Sequence, residues 1–219
     1  MNRSSTKIKS YSNRAEFAKS ILKNNASKVQ NNVVSDIGSG FGNMKSIVQS
    51  TGGKWQPLDY VKKIPESIIW DLNHKAPKEA KKAEVVLLLE VLEHLNNPLL
   101  GIQNISNHME KNGILILTTP NPQSSKNTLS LFLRGALYAF QEKHIKENHV
   151  FTPWKHVVYE FLKRGGFEVL EYAIVDTQYK SRKSTSLKDW FKARIESYIE
   201  YRNPLAKGMS YGIVARKIS

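Results

Sequence analysis

The chain has 219 residues, and 40% of them are hydrophobic, which is enough to bury the core of one α/β domain spanning residues 1–219. It contains no cysteine, and this excludes disulfides, thiolate nucleophiles and cysteine-ligated zinc. Its formal net charge of +14 favours anionic partners, and because no segment is apolar over the ~20 residues of a transmembrane helix, we expect a cytoplasmic protein.

The first predicted strand ends in a glycine-rich turn. Val33 and Val34 lead into residues 36–42 (DIGSGFG), with three glycines at alternate positions. Glycines permit positive φ and close backbone approach, and the following helix presents unpaired N–H groups. The turn therefore predicts a ligand with a nucleoside or an anionic group. A dinucleotide fingerprint needs a glycine where this chain has Asn43, so nicotinamide binding fits poorly. Asp36 could pair with an ammonium, as in S-adenosylmethionine (SAM).

Three further strands follow, each leading into polar residues. Residues 54–58 form a predicted strand that ends at Asp59, where a carboxylate could accept from ribose hydroxyls. Residues 67–70 form the next strand and end at Asp71, placed to pair with an adenine amino group. The apolar run 84–89 predicts a parallel strand that is covered on both faces.

The next part of the chain is predicted as a helix followed by another strand. After residues 90–95 (EVLEHL), Asn97 and Pro98 begin a predicted helix that continues through Met109. Residues 114–117 then form another buried strand.

Five segments in this order give the chain a family resemblance. They are residues 36–42 (DIGSGFG), 90–98 (EVLEHLNNP), 112–122 (NGILILTTPNP), 149–152 (HVFT) and 165–169 (GGFEV). The chain resembles class I SAM-dependent methyltransferases, closest to the branch that methylates quinone precursors, sugars and other small metabolites. The resemblance implies a Rossmann-like, doubly wound, mostly parallel seven-stranded sheet with helical insertions that form a lid. It also implies SAM as cofactor, with S-adenosylhomocysteine as product.

The same resemblance implies roles for matching residues. The methionine end of SAM would be held by Asp36, Gly38, Ser39, Gly40 and Gly42, the ribose by Asp59, the adenine by Asp71 and Leu72, and the methionine-side pocket would be lined by Glu90. One departure concerns Asp59, because only seven residues separate it from Ser67, too few for the family's usual helix. If the second strand were misassigned, another group would take the ribose.

Most of the positive charge lies in predicted additions to the shared core. Residues 1–32, predicted as an N-terminal helical cap, contribute +6, and residues 123–148 and 176–207, predicted as accessory lid insertions, contribute +2 and +4. Residues 33–122 contribute nothing. A basic surround would concentrate an anionic acceptor, whereas scattered lysines can also serve only solubility. Both interpretations stay open.

Two of these additions contain apolar stripes at helical spacing. The first consists of Leu129, Phe132, Leu133, Ala136, Leu137 and Phe140. The second consists of Trp190, Phe191, Ile195, Tyr198 and Ile199. We favour packing against the core or a second subunit for both. A lid over the acceptor is an alternative for the first, and a peripheral membrane contact is a further alternative for either, since basic residues flank both stripes.

Methyl transfer to oxygen needs a group that accepts the hydroxyl proton, and histidine is suited to this near neutral pH. His149 and His94 are the candidates; by resemblance His149 faces the acceptor pocket, while a structural role at a helix start is the stronger interpretation of His94. Tyr138 or Lys143 could contact the acceptor. His144 and His149 lack a carboxylate or cysteine in a recognisable ligand pattern, so no metal is expected.

The sequence thus predicts a SAM-dependent methyltransferase that acts on a hydroxyl of a small or glycan-type acceptor, preferably an anionic one. RNA methylation is an alternative. It is disfavoured because residues 90–93 (EVLE) stand where amino-group methyltransferases of nucleic acids carry a base-binding Asn-Pro-Pro-Tyr-type tetrapeptide. A non-catalytic binding or scaffold protein that keeps the fold is the second alternative. The intact glycine turn argues against it.

Overall fold

The computed structural model describes residues 8–141, 149–180 and 186–218. Its strands are β1 Lys9–Ser10, β2 Val33–Ile37, β3 Lys54–Asp59, β4 Ile68–Ile69, β5 Ala83–Leu89, β6 Met109–Pro120, β7 Phe167–Val175 and β8 Ser210–Lys217. They form one sheet in the order β1-β7-β8-β6-β5-β2-β3-β4, in which only β8 runs antiparallel to its neighbours. The predicted Rossmann-like α/β architecture is confirmed. The sheet has eight strands where seven were predicted, because the N-terminal segment adds the two-residue β1 to the edge at β7.

Seven α-helices accompany the sheet in the described residues. They are α1 Arg14–Asn24, α2 Ala26–Val29, α3 Lys45–Ser50, α4 Pro98–His108, α5 Ser125–Arg134, α6 Lys155–Arg164 and α7 Leu187–Arg202. Side-chain caps fix several helix starts: the Asn97 side chain accepts from the Leu100 N–H at α4, and the Ser186 hydroxyl accepts from the Asp189 N–H at α7. The Asn97-Pro98 start was predicted from the sequence.

The sheet is covered on both faces, as the apolar run at 84–89 predicted. Within β5, Val85 and Leu87 face one core cluster while Val86 and Leu88 face the other, and all four are fully buried. Helices α1 to α3 cover the first face, and α4 and α6 cover the second. Alternation of side chains along each strand supplies both cores with apolar groups.

The predicted apolar stripe of residues 129–140 is interrupted. Helix α5 ends at Arg134 because Gly135 adopts the left-handed conformation (φ 69°) as its cap. Residues 138–140 form a separate 3-10 turn. Leu129 is buried, but Phe132 is 86% exposed. The stripe therefore does not pack as one continuous face against the core, and packing of its exposed part against a second subunit stays a prediction.

The second stripe also departs from expectation. Trp190, Phe191, Ile195 and Tyr198 of α7 are exposed, so this stripe does not pack against the core, and its packing against a second subunit stays a prediction. Helix α6 begins at Lys155, three residues after the HVFT segment of residues 149–152. None of the described helices is long and apolar enough to cross a membrane.

The carboxyl ends of β2, β3, β5 and β6 meet at one edge of the sheet, since these strands are parallel. Ser210, the first residue of antiparallel β8, lies at this same edge, paired with Pro120. Helices α5 and α7 connect to these strand ends and pack beside each other. The edge is where open α/β sheets bind ligands.

Candidate cofactor and acceptor site

A cleft of about 480 Å³ opens at this edge. Among its lining residues are six that the sequence singled out: Gly38, Asp59, Asp71, Leu72, Glu90 and His94. The volume lies within the range of small-molecule sites. The remaining predicted residues Asp36, Ser39, Gly40, Gly42 and His149 lie near the cleft but are not part of its lining.

The glycine turn has the backbone conformation that its sequence predicted. Gly38, Gly40 and Gly42 have φ values of 74°, 55° and 79°, a region that favours glycine. The Gly40 N–H donates to Asp59 Oδ2 at 2.8 Å. Asp59 at the end of β3 therefore also holds the turn after β2 in place. Sequence reasoning assigned Asp59 to a ligand and did not find this role.

Asp36 is buried beneath the turn. Its Oδ2 accepts from Trp55 Nε1 at 3.0 Å, and only 3% of the residue is exposed. Burial raises the pKa of Asp36 to about 6, against the opposing effect of the Trp55 hydrogen bond. The assignment of Asp36 to the methionine end of SAM stays a prediction, and the partner that the structure gives its carboxylate is the Trp55 indole.

Glu90 has an unusual backbone and an unsatisfied side chain. Its φ of 56° lies in the left-handed region, which is uncommon for a residue other than glycine. Glu90 Oε2 accepts from Ser210 Oγ at 3.3 Å and lies 4.0 Å from the Arg14 guanidinium. Glu90 Oε1 is buried and has no hydrogen-bond partner among the described residues. A buried carboxylate oxygen of this kind, on a residue that lines the cleft, makes Glu90 a candidate for contact with a ligand.

Burial also raises the pKa of Glu90, to about 7, and the pKa of the neighbouring Glu93, to about 8, where the charge of Glu90 adds to the effect of burial. Glu93 Oε2 accepts from Thr119 Oγ1 at 3.0 Å. The two carboxyls titrate as a pair, and a cation brought into the cleft would favour their ionised forms.

The predicted adenine end of the cleft is formed after β4. Asp71 Oδ1 accepts from the backbone N–H and the side-chain amide of Asn73, each at 2.9 Å. The Leu72 carbonyl accepts from Asn104 Nδ2 at 2.8 Å, which fixes this segment on α4. Asp71 thus keeps a carboxylate at the cleft on an ordered loop.

Two histidines meet at the other end. The rings of His94 and His149 have centroids 4.8 Å apart in an edge arrangement. They come together because the Glu93 carbonyl accepts from both the Val150 and the Phe151 N–H. His149 Nδ1 lies 3.0 Å from the Ala139 carbonyl, which can only accept, so Nδ1 carries the proton and Nε2 is the basic nitrogen of the neutral ring. His144 and Lys143 lie outside the described residues.

The structure also groups Glu93 with these histidines. One ligand-type atom from each of Glu93, His94 and His149 falls within 4.8 Å of the others, a spacing compatible with a metal ion. The sequence pattern predicted no metal, because Glu93 and His149 are distant in the chain and no short motif joins them. The convergence follows from the backbone contacts between the two segments.

The chemistry of the cleft fits SAM. An unpaired acceptor on Glu90 suits its ammonium, and the carboxylates of Asp59 and Asp71 suit hydroxyl and amino donors of a nucleoside. Residues 11–172, about three quarters of the chain, match the family model described as a methyltransferase domain. The chain belongs to this family. The predicted class I SAM-dependent methyltransferase, with SAM as its cofactor, is confirmed.

Known methyltransferases resemble this chain in sequence over part of its length and in fold over most of it. A ubiquinone biosynthesis O-methyltransferase of Rickettsia canadensis (strain McKiel) is 30% identical over 94 residues, 43% of this chain. The match spans only 39% of that relative's length. A SAM-dependent methyltransferase from Archaeoglobus fulgidus has a TM-score of 0.63 at 17% identity, covering 93% of this chain and 94% of that one. Magnesium protoporphyrin IX methyltransferase from Synechocystis PCC 6803, solved with bound SAM, has a TM-score of 0.56 at 14% identity, covering 93% and 77%.

Proposed function

We propose that this methyltransferase transfers the methyl group of SAM to a hydroxyl of a small or glycan-type, anionic acceptor. The observation that carries the proposal is the pair of histidines at one end of the cleft. His94 lines the cleft, and the ring of His149, whose basic nitrogen is Nε2 because Nδ1 faces the Ala139 carbonyl, lies against the His94 ring. An oxygen nucleophile needs a group that takes its proton, and this pair provides one.

In this proposal Glu90 binds the ammonium of the cofactor through Oε1, and Asp59 and Asp71 bind its ribose and adenine. Gly38, Ser39, Gly40 and Gly42 form the turn whose backbone approaches the methionine end of the cofactor, and Asp36 lies beneath this turn. When bound, SAM supplies a methyl group on a sulfonium, which leaves as a neutral thioether. The protein's own residues align the acceptor oxygen and exclude water.

The proton of the acceptor hydroxyl passes to an imidazole. His94 is the ring that reaches the cleft, so it contacts the acceptor, and His149 orients it by packing against its ring. Loss of that proton makes the oxygen a stronger nucleophile as the new bond to carbon forms. Neither the proton transfer nor the methyl transfer requires a further charged residue of the protein to move into the cleft.

Two observations support the acceptor class. The matched relative from Rickettsia canadensis bears the name of an O-methyltransferase of ubiquinone biosynthesis, so a related domain serves oxygen methylation. The Arg14 guanidinium lies 4.0 Å from Glu90 Oε2, and its side chain is 53% exposed. A cation beside the cleft would favour an acceptor with a negative group.

The experiment is an acceptor screen with SAM labelled in its methyl group. Fractionated metabolites and glycans are incubated with the protein, and mass spectrometry then looks for the gain of one methylene and locates it by fragmentation. Transfer to a hydroxyl of an anionic compound is the expected result. Transfer to nitrogen or carbon, or salt-sensitive labelling of an RNA fraction instead, would contradict the proposed reaction.

A further inference from the structure

Helix α7 packs against the protein through its polar side and exposes its apolar side, which is the reverse of an ordinary surface helix. Its most buried residues are Lys192, Glu196, Ile199 and Glu200, which lie along one side. Ser125 Oγ and Tyr179 OH both donate to Glu200 Oε1, at 2.7 and 3.1 Å. The helix is therefore attached to the protein largely through polar groups. A helix that faces water usually does the reverse.

The apolar side chains of α7 lie on the opposite side. These outer-face residues recur at three- and four-residue spacing and are all exposed: Leu187, Trp190, Phe191, Ile195, Tyr198 and Tyr201. Leu187 and Tyr201, at the two ends of the stripe, are 80% and 82% exposed. An apolar surface of this length on a helix is more than the scattered exposed residues of ordinary surfaces.

Most charges of α7 are segregated in the same way, with Lys192 as the basic residue that lies on the packed side. Lys188, Arg194 and Arg202 are exposed within or beside the outer face, and the Arg194 guanidinium lies 5.6 Å from the centre of the Trp190 ring. By helical spacing the acids Asp189, Glu196 and Glu200 fall along the opposite side. The outer face thus combines aromatic and aliphatic groups with positive charge.

Helix α5, which packs beside α7, has a related design. Its buried positions include Ser125, Asn127 and Ser130, while its last turn exposes Phe132 and Leu133. Polar side chains make most of the internal contacts, beside the buried Leu129, and the large apolar side chains of the last turn face outward. Arg134 is exposed next to them.

We propose that the outer face of α7, together with the last turn of α5, docks on an anionic lipid bilayer. Exposed Trp, Tyr and Phe suit the interfacial layer of a membrane, and flanking Lys and Arg are attracted to anionic headgroups. A second copy of the chain fits less well, because a two-fold contact through this face would place like charges opposite each other without acids to pair them. Docking would bring the cleft edge, which carries both helices, to the membrane surface.

The test measures flotation of the full-length protein with vesicles. We expect binding to vesicles of equal parts phosphatidylglycerol and phosphatidylcholine, with affinity at least about tenfold weaker for phosphatidylcholine alone and falling as salt is raised. Leu187→Asn with Phe191→Asn should weaken binding by about tenfold or more. The matched control is Leu170→Asn with Ile218→Asn, two exposed apolar residues on β7 and after β8, which should leave binding within about twofold.

Charge is tested separately. Lys188→Glu with Arg194→Glu should abolish binding to anionic vesicles, whereas Lys19→Glu with Lys23→Glu, exposed on α1, makes the same charge change elsewhere and should have a smaller effect. S-adenosylhomocysteine binding by each variant verifies its fold, so that vesicle results do not depend on the proposed reaction. A folded wild-type protein that ignores anionic vesicles would overturn the proposal. So would a dimer in sedimentation that Phe191→Asn dissociates, which would identify a second copy as the occupant.

Discussion

Glu90 is the residue on which recognition of the cofactor's ammonium depends in the proposed site. We expect Glu90→Gln to weaken binding of S-adenosylhomocysteine, which has the same amino-acid group as SAM, by about tenfold or more, because a charged hydrogen bond becomes a neutral one. Titration calorimetry measures the change. Glu110→Gln on an exposed part of β6 is the control and should bind as the wild type does. Equal affinity of the Glu90 variant and the wild type would remove Glu90 from this role.

The same residue predicts how binding depends on pH. Since burial raises the pKa of Glu90 to about 7, the carboxyl gains a proton as the pH falls through that value and loses its attraction for an ammonium. Affinity for S-adenosylhomocysteine should therefore decrease from pH 8 to pH 6 (about one unit on each side of that pKa) in the wild type. Calorimetry over that range should show a flatter profile for Glu90→Gln. A pH-independent wild type would contradict the assignment.

The role of His149 is tested by separating turnover from binding. We expect His149→Ala to lower turnover about a hundredfold or more, since proton transfer is lost, while S-adenosylhomocysteine affinity stays within about twofold. Turnover is measured with labelled SAM and the acceptor found in the screen. His156→Ala, on the exposed side of α6, is the matched control. Unchanged turnover in His149→Ala would exclude this histidine as base or orienting group.

The sequence was enough to single out several candidate site residues, but not the side-chain contacts between them. The sequence singled out Asp59 and Asp71 because each directly follows a predicted strand and strand ends converge at one edge, and it singled out Glu90 through the family resemblance. It could not show that Asp36 is paired with the Trp55 indole, since both residues lie within or at the end of strands and their contact depends on side-chain direction. The meeting of Glu93 and His149 was missed for a similar reason. It is created by backbone hydrogen bonds between segments that are far apart in the chain.

At the scale of elements, Gly40 in the glycine turn can be compared with Gly135 at the end of α5. Gly40 and Gly135 both have positive φ, of 55° and 69°, and a Cβ added at either position would meet no atom within 4 Å. Valine at either site should cost about 1–3 kcal/mol of strain without a clash. We expect Gly40→Val, beside the cleft, to abolish S-adenosylhomocysteine binding.

Gly135→Val, at the end of α5, should lose similar stability but bind normally. Thermal unfolding and calorimetry on both variants separate the two effects. If Gly40→Val binds with wild-type affinity, the turn does not approach the ligand as proposed. If Gly135→Val also fails to bind, the loss reflects a general consequence of strain.

Strands and helices were predictable where burial alone determines the pattern of apolar residues. The run at β5 has apolar groups on both faces, and this pattern arises only when both faces are covered. For α7 the period gave the stripe correctly but not its direction. The direction is set by Ser125 and Tyr179, which bind Glu200 from other segments. Two-residue β1 has too little sequence to give any signal and forms because β7 offers an open edge.

At the scale of the whole molecule, the parallel strands bring acidic residues from β3, β5 and the segment after β4 to a single edge. Ligand-facing carboxyls placed this way lose solvation when the protein folds, which is a cost to stability that a bound cation can offset. The cleft is therefore expected to be a source of instability in the free protein. Because burial raises the pKa of Glu90 and of Glu93, the free energy of unfolding is expected to depend on pH.

Because the pKa of Glu93 rises from an ordinary 4.5 to about 8, the folded state holds a proton that the unfolded chain has released. In this interval the unfolded state binds fewer protons, so the free energy of unfolding falls as pH rises, and the loss is complete above the folded pKa. Glu93→Gln removes the penalty and keeps an oxygen that can accept from Thr119. We expect the variant to gain about 1–3 kcal/mol over the wild type at high pH and little below the ordinary pKa.

Urea unfolding at pH 5 and pH 8.5 (about the ordinary and the raised pKa of Glu93) measures this difference, with exposed Glu110→Gln as the control that should gain nothing at either pH. Saturating S-adenosylhomocysteine should reduce the advantage of Glu93→Gln, because an ammonium in the cleft stabilises the ionised pair in the wild type. A variant that is less stable than the wild type at the higher pH would mean that Glu93 is ionised and satisfied in the folded protein.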